Sequence, residues 1–187
     1  MKINAGEFKY RNIEIPEGIR PTTEKVREAV FSMISDRIYG AVVLDLFAGS
    51  GGMGLEALSR GAAKCYFNEW NNRNARIVQK NIATCRAEDR SAVMNRDFRR
   101  AIRELPEQVD IVIIDPPYQA GYYDDVFDLL QEYDSVRDGG ILVVEHIYDN
   151  NLSDTIGKYE KIKQKKYGTI GVDIYRCVSS IAKNTLL

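Results

Sequence analysis

The chain has 187 residues, 44% of them hydrophobic and 28% charged, with 26 Lys and Arg against 27 Asp and Glu. That length builds its own core without disulfide or metal staples, and a formal net charge of -1 excludes a global basic field for nucleic acid. Three cysteines without CxxC spacing and a single His146 argue for reduced thiols, no zinc site and a cytoplasmic protein. The opening MKINAGEFKY lacks the apolar core of a secretory signal, and no apolar run approaches the ~20 residues of a membrane span.

In chain order, Ile3, Phe8, Tyr10, Ile13 and Ile15 alternate loosely around Gly6 and predict a small β-hairpin. Val26, Ala29, Val30, Met33 and Ile34 follow at helical spacing, with Thr22 or Thr23 able to cap that helix. From Ala41 the rhythm changes. AVVLDLF, CYFNE, SAVMN, VDIVIID and GGILVVEHI read as strands. MGLEALSRG, NRNARIVQKNIATC, FRRAIREL and VFDLLQEY read as the helices between them. That alternation predicts βαβ units and a parallel sheet covered on both faces. YEKIKQKKYG and TIGVDIYRCV predict a closing antiparallel hairpin, and residues 180–187 are expected to fray. The expected fold is α/β: a doubly wound, Rossmann-like, mostly parallel seven-stranded sheet with an antiparallel C-terminal strand. One domain spanning 1–187 is expected, with residues 1–38 an N-terminal extension and 39–180 the core.

GSGGMG, Gly49 to Gly54, is a G-x-G-x-x-G turn between a strand and a helix, and Glu69 lies 20 residues beyond Gly49. This is the nucleotide-binding fingerprint, with the acid placed for ribose hydroxyls. Asp45, four residues before Gly49, chooses between cofactors. A pyrophosphate would face it with poorly screened repulsion. S-adenosylmethionine carries an ammonium and a sulfonium, which an acid suits. The alternative role for Asp45 is to cap the loop amides. Asp97, after the third strand, can accept from an adenine amine with Phe98 against the ring, or cap the next helix, or both. The residues expected to bind S-adenosylmethionine are Asp45, Phe47, Gly49, Ser50, Gly51, Glu69, Asp97 and Phe98.

IVIIDPPYQ ends the fourth strand at Asp115, Pro116, Pro117 and Tyr118. Each proline removes an N–H and fixes φ, and each restrains the residue before it. The result is a stiff corner of acceptors, suited to the two N–H donors of an exocyclic amine or amide. Tyr118 adds a flat face for a base. The lone pair of an aryl amine is delocalised. Two acceptors would orient it and stabilise the charge that develops as it attacks a methyl group.

With these residues in view, the chain resembles class I S-adenosylmethionine-dependent methyltransferases acting on amines. More narrowly, it resembles the RsmD-like 16S ribosomal RNA guanine-N2 methyltransferases. AGE, RPTT and VREA-F in the first 34 residues carry the narrower likeness. LDLFAGSGGMGLEALSRGA, Glu69, Asn81, Asp97 and IDPPY continue it. CYFNEW departs from the pattern at Asn68 and Trp70. The resemblance implies S-adenosylmethionine at the glycine loop, and a guanine amine in small-subunit ribosomal RNA at Asp115 to Tyr118. No metal is implied. Adenine N6, a protein glutamine amide, a nicotinamide oxidoreductase and an RNA module without catalysis remain as alternatives.

For RNA contact the sequence offers Arg20, Thr22, Thr23 and Arg27 at the RPTT helix start, where an RNA phosphate or the methionine carboxylate can bind. Tyr122 and Tyr123, in the lip QAGYYD, are expected near the base. Basic faces at Arg96, Arg99, Arg100 and Arg103, at Arg73, Arg76 and Lys80, and across Lys158 to Lys166 read more simply as solvated surface. His146 reads as structural, and Glu145 beside it as a lesser candidate for the substrate.

Overall fold

β1 (Val42–Asp45) lies at the centre of a sheet whose order is β3-β2-β1-β4-β5-β8-β7-β6. The computed structural model describes residues 1–179, so the expectation for 180–187 falls outside the described residues. β2 (Lys64–Asn68), β3 (Ser91–Met94), β4 (Val109–Ile114) and β5 (Val136–Ile147) pair in parallel around β1. β8 (Ile170–Cys177) is antiparallel to β5, followed by β7 (Tyr159–Tyr167) and β6 (Thr155–Ile156). The sheet therefore has eight strands rather than seven, because the chain before the final hairpin adds the two-residue β6.

Among the described residues six α-helices complete the order: α1 (Glu24–Met33), α2 (Ser35–Ile38), α3 (Gly52–Ser59), α4 (Asn72–Cys85), α5 (Phe98–Arg103) and α6 (Tyr123–Glu132). None is long and apolar enough to cross a membrane among the described residues. Alternation along the strands splits the core into two layers. Val43, Cys65, Phe67, Ile111, Ile113, Ile141 and Val143 pack with α1, α3 and α4. Leu44, Tyr66, Val112, Ile114, Leu142 and Val144 pack with α5 and α6. Each fully buried side chain of this size contributes ~1.5–3 kcal/mol, so both layers are needed to fix the sheet.

The expected N-terminal hairpin is present in short form: Lys2 bridges Asn12 antiparallel, Ile3 N–H donates to the Arg11 carbonyl at 3.1 Å, and Ile13 N–H donates to the Met1 carbonyl at 2.8 Å. Docking onto α3 then fixes its place. Gly6 adopts φ +80°, and a Cβ there would lie 1.8 Å from the Ser59 carbonyl oxygen. Phe8 N–H donates to Ser59 Oγ at 2.8 Å, and Ser59 O–H donates to the Ala5 carbonyl. The AGE segment thus clamps the end of α3, and only glycine fits its middle position.

Candidate active site

The two-residue period of the strands sets the chemistry of their C-terminal edge. On the α1/α3/α4 face, Val43 is followed by Asp45, Phe67 by Glu69, Ile113 by Asp115 and Val143 by Glu145. Four adjacent strands therefore deliver four carboxylates to one edge and one face. The sheet order reverses between β1 and β4, so Asp45 and Asp115 flank the switch point where ligands of such sheets bind.

At the glycine loop, Gly49 and Gly51 adopt φ +56° and +79°, a region that only glycine enters without strain. Gly51 caps α3. Asp45 Oδ2 accepts from Gly54 N–H at 3.0 Å, so its loop-capping role is present. Burial, chiefly, pushes its carboxyl up to about 7. Glu69 spans the loop, accepting from Gly49 N–H at 3.0 Å and from Asn71 N–H at 2.9 Å, and burial raises its pKa. Its remaining lone pairs can accept two hydroxyls. Ser50 Oγ accepts from Gly52 N–H, while the Ser50 carbonyl accepts from Asn81 Nδ2 at 2.8 Å. Asn81 also pairs with both backbone groups of Glu14, tying the loop to the N-terminal segment. Buried acids facing positive dipoles, with no cation paired to them among the described residues, suit a cationic ligand better than a phosphate.

Asp97 caps α5, accepting from Arg99 N–H at 2.9 Å, and its side chain remains exposed. Phe47 and Phe98 form an aromatic wall with centroids 5.5 Å apart. Tyr122 joins that wall, 4.8 Å from Phe98 and stacked on Phe47 at 6.3 Å. It sits with the residues expected to bind the cofactor. Asn68, unexpected in an apolar strand, is explained by two bonds. It donates to the Leu46 carbonyl and accepts from Arg96 N–H, locking the ends of three strands.

At the proline corner, Pro116 is buried, Pro117 is exposed, and Tyr118–Ala120 forms a 3-10 turn. Thr22 Oγ1 lies 3.2 Å from Asp115 Oδ2 and 3.3 Å from Glu145 Oε2. Tyr118 O–H donates to Glu145 Oε1 at 2.7 Å, and Tyr123 O–H donates to the Glu145 carbonyl at 3.0 Å. Burial, and then the Glu145 charge, raise Asp115 well above the usual carboxylate range. Burial also raises Glu145, opposed by the Tyr118 and Thr22 hydroxyls and by the charges of His146 and Arg20. The Tyr118 ring is half-buried and held by its hydroxyl. Glu145 is thus built into the corner that sequence reasoning assigned to Asp115. Its position two residues past Val143 was the available signal.

Several expected RNA contacts are relocated. Arg27 is 1% exposed, so it cannot meet RNA. It donates to the Lys2 carbonyl and Asn4 Oδ1, and lies 3.6 Å from Glu56. Its position one residue after Val26 puts it on the buried face of α1. Thr23, not Thr22, caps α1 by accepting from Val26 N–H at 3.3 Å. Thr22 faces the acids, and Arg20 remains exposed near Glu145. Tyr123 is core, opening α6 at 7% exposure. On the basic face around α5, Arg96 and Arg100 pair with Glu104 and Arg99 with Asp97 and Asp125, while Arg103 donates to the Tyr133 hydroxyl at 3.0 Å. Lys161 is drawn in toward Asp173 at 3.0 Å, and Asp173 lies 3.3 Å from the fully buried His146.

Residues 1–176 match the family described as conserved hypothetical protein 95. Ribosomal RNA small subunit methyltransferase D of Escherichia coli K12 is 31% identical over 178 residues, covering 94% of this chain and 89% of that protein. Bacillus subtilis YlbH, provisionally named an rRNA methyltransferase, is 34% identical over 181 residues, covering 94% and 98%. Among solved structures, Escherichia coli yhhF, provisionally described as a methyltransferase, superposes with a TM-score of 0.88 at 28% identity, covering 96% and 99%. The chain belongs to the conserved hypothetical protein 95 family, the RsmD-like methyltransferases.

Proposed function

We propose that the protein transfers a methyl group from S-adenosylmethionine to the exocyclic N2 amine of a guanine in small-subunit ribosomal RNA. The observation that carries this reading is the corner at the end of β4, where Asp115 and two prolines present acceptors at the switch point beside the glycine loop. The names of the Escherichia coli and Haemophilus influenzae relatives support the small-subunit RNA substrate.

Bound at the glycine loop, S-adenosylmethionine supplies an electrophilic methyl group on a cationic sulfur. Asp45 and Glu69 are the acids that hold it, the first facing its positive charge and the second its ribose. Phe47, Phe98 and Tyr122 supply apolar wall, and Asp97 the rim. Asp115 and the Pro116 carbonyl accept the two N–H groups of the incoming amine. They hold its lone pair toward the donor and stabilise the positive charge that grows on nitrogen. Tyr118 packs against the base while Glu145 fixes its hydroxyl. Because Thr22 reaches Asp115 from the N-terminal segment, residues 1–38 and the sheet act as one catalytic unit in this reading. Arg20, exposed at the same edge, is the cation best placed for an RNA phosphate. The base enters unstacked or flipped.

The test is nucleoside mass spectrometry on small subunits lacking the modification, after incubation with protein and S-adenosylmethionine. N2-methylguanine is the expected product. N6-methyladenine, or no methyl transfer, would overturn the assignment.

A further inference from the structure

The proline corner accepts any exocyclic amine, so by itself it does not choose guanine. We infer that Glu145 makes that choice, by accepting the ring N1–H that guanine carries beside its amine. This inference rests on the function proposed above and names what selects the base.

Counting protons gives Glu145 its state. Thr22 Oγ1 touches Asp115 Oδ2 at 3.2 Å and Glu145 Oε2 at 3.3 Å, yet a hydroxyl has one hydrogen. If both acids were ionised, one of these contacts would set lone pair against lone pair. One proton is therefore shared across the three oxygens. Tyr118 already donates to Glu145 Oε1 at 2.7 Å, and Arg20 lies on the Glu145 side. These favour the charged form at Glu145, whereas Asp115 has neither and is the more strongly raised. The proton then sits on Asp115 Oδ2 and points to Thr22, and the Thr22 O–H points to Glu145. Asp115 Oδ1 stays an acceptor for the amine, and Glu145 stays an ionised acceptor one hydroxyl away.

The bases differ at the ring nitrogen beside the amine. Guanine presents N1–H, a donor. Adenine beside N6, and cytosine beside N4, present a bare nitrogen with a lone pair. A glutamine amide has no ring nitrogen at all. A carboxylate beside the corner attracts the first and repels the next two. A site built around such a bond rejects analogues that lack the donor, because its buried acceptor is then left facing a lone pair.

The experiment compares guanine with 2-aminopurine, which keeps the 2-amino group but has a bare N1. Small subunits are reconstituted with either base at the nucleotide found modified in the assay above. Methyl transfer is then measured with wild type and Glu145→Gln. Gln is isosteric, and its N–H can donate to a bare N1. S-adenosylmethionine binding reports that each protein is folded. Wild type should favour guanine by roughly 10- to 100-fold in kcat/KM, the worth of one hydrogen bond to a charged group. Glu145→Gln should narrow or invert that ratio. A merely structural Glu145 would lower both bases by one factor and leave the ratio unchanged, which would overturn the inference while the guanine-N2 reading stood. Failure of the wild type on both bases would overturn that reading, and the inference with it.

Discussion

Glu56 and Glu145 are both buried acids on the same side of the sheet, and they are treated in opposite ways. Glu56, on α3, is fully buried and accepts from Asn4 N–H at 2.8 Å, Ala5 N–H at 3.1 Å and Arg60 Nε at 2.8 Å, with Arg27 3.6 Å away. Three hydrogen bonds and a second, longer cationic contact compensate its charge. Glu145 is 8% exposed and has two hydroxyls but no ion pair among the described residues. One acid holds the N-terminal segment to the core. The other is held ready at an edge where donors arrive with a ligand. Burial alone does not separate structure from function here; compensation does.

One isosteric exchange made at both places breaks this contrast most strongly. Glu56→Gln leaves Arg27 buried without its counter-charge and should cost about 3–5 kcal/mol in chemical denaturation. Arg27→Ala should cost a similar amount, and an equally stable Arg27→Ala with weakened RNA binding would restore Arg27 as an RNA contact. Glu145→Gln should leave stability at neutral pH unchanged or higher, because the exchange removes a charge that burial penalises.

Asp45 sharpens the same point with a pH dependence. Its carboxyl is raised from 3.8 to about 7, so the folded state binds its proton more tightly than the unfolded state does. Stability from this group is full below about 4 and is lost as pH rises through about 7. Asp45→Asn removes that loss. It should stabilise the ligand-free protein by up to about 4 kcal/mol above pH 7, while weakening S-adenosylmethionine binding. Thermal melts across pH 5 to 9 and calorimetry would read both. Identical pH slopes for the two proteins would place the cost elsewhere.

The adjacent threonines give the smallest effects. Thr23→Ala removes the α1 cap and should cost about 1 kcal/mol with transfer intact. Thr22→Val should leave the melting point near wild type and reduce transfer by roughly 10-fold, since the shared proton loses its bridge. Reversed phenotypes would mean that the RPTT segment is misassigned residue by residue.

Much of this was legible in the sequence. The strands from Val42 to Ile147 are apolar runs punctuated by helices, and such patterns survive because both faces of the sheet are buried. The glycine loop and Asp-Pro-Pro-Tyr were readable because φ and N–H requirements act locally. What depends on distant partners was not. Arg27 looked like a surface cation because Glu56 lies in another helix. Glu145 looked secondary because Thr22 and Tyr118 reach it from other elements. The N-terminal hairpin pairs much as its alternation suggested, but its docking onto Ser59 through Glu7 and Phe8 N–H groups was not legible. In RPTT, successive residues set the cap of α1 and the contact with Asp115, and only the cap was legible from helical spacing.

The central claim is that Asp115 acts on the amine and not on the fold or the cofactor. Its most direct test measures S-adenosylmethionine affinity and methyl transfer to unmodified small subunits in parallel for wild type and Asp115→Ala, which removes the acceptor. The account predicts affinity within a few-fold of wild type, with transfer reduced by roughly 10²- to 10³-fold, the scale seen when one preorganised stabilising group is removed. Transfer near the wild-type rate, or loss of cofactor binding along with it, would contradict the account.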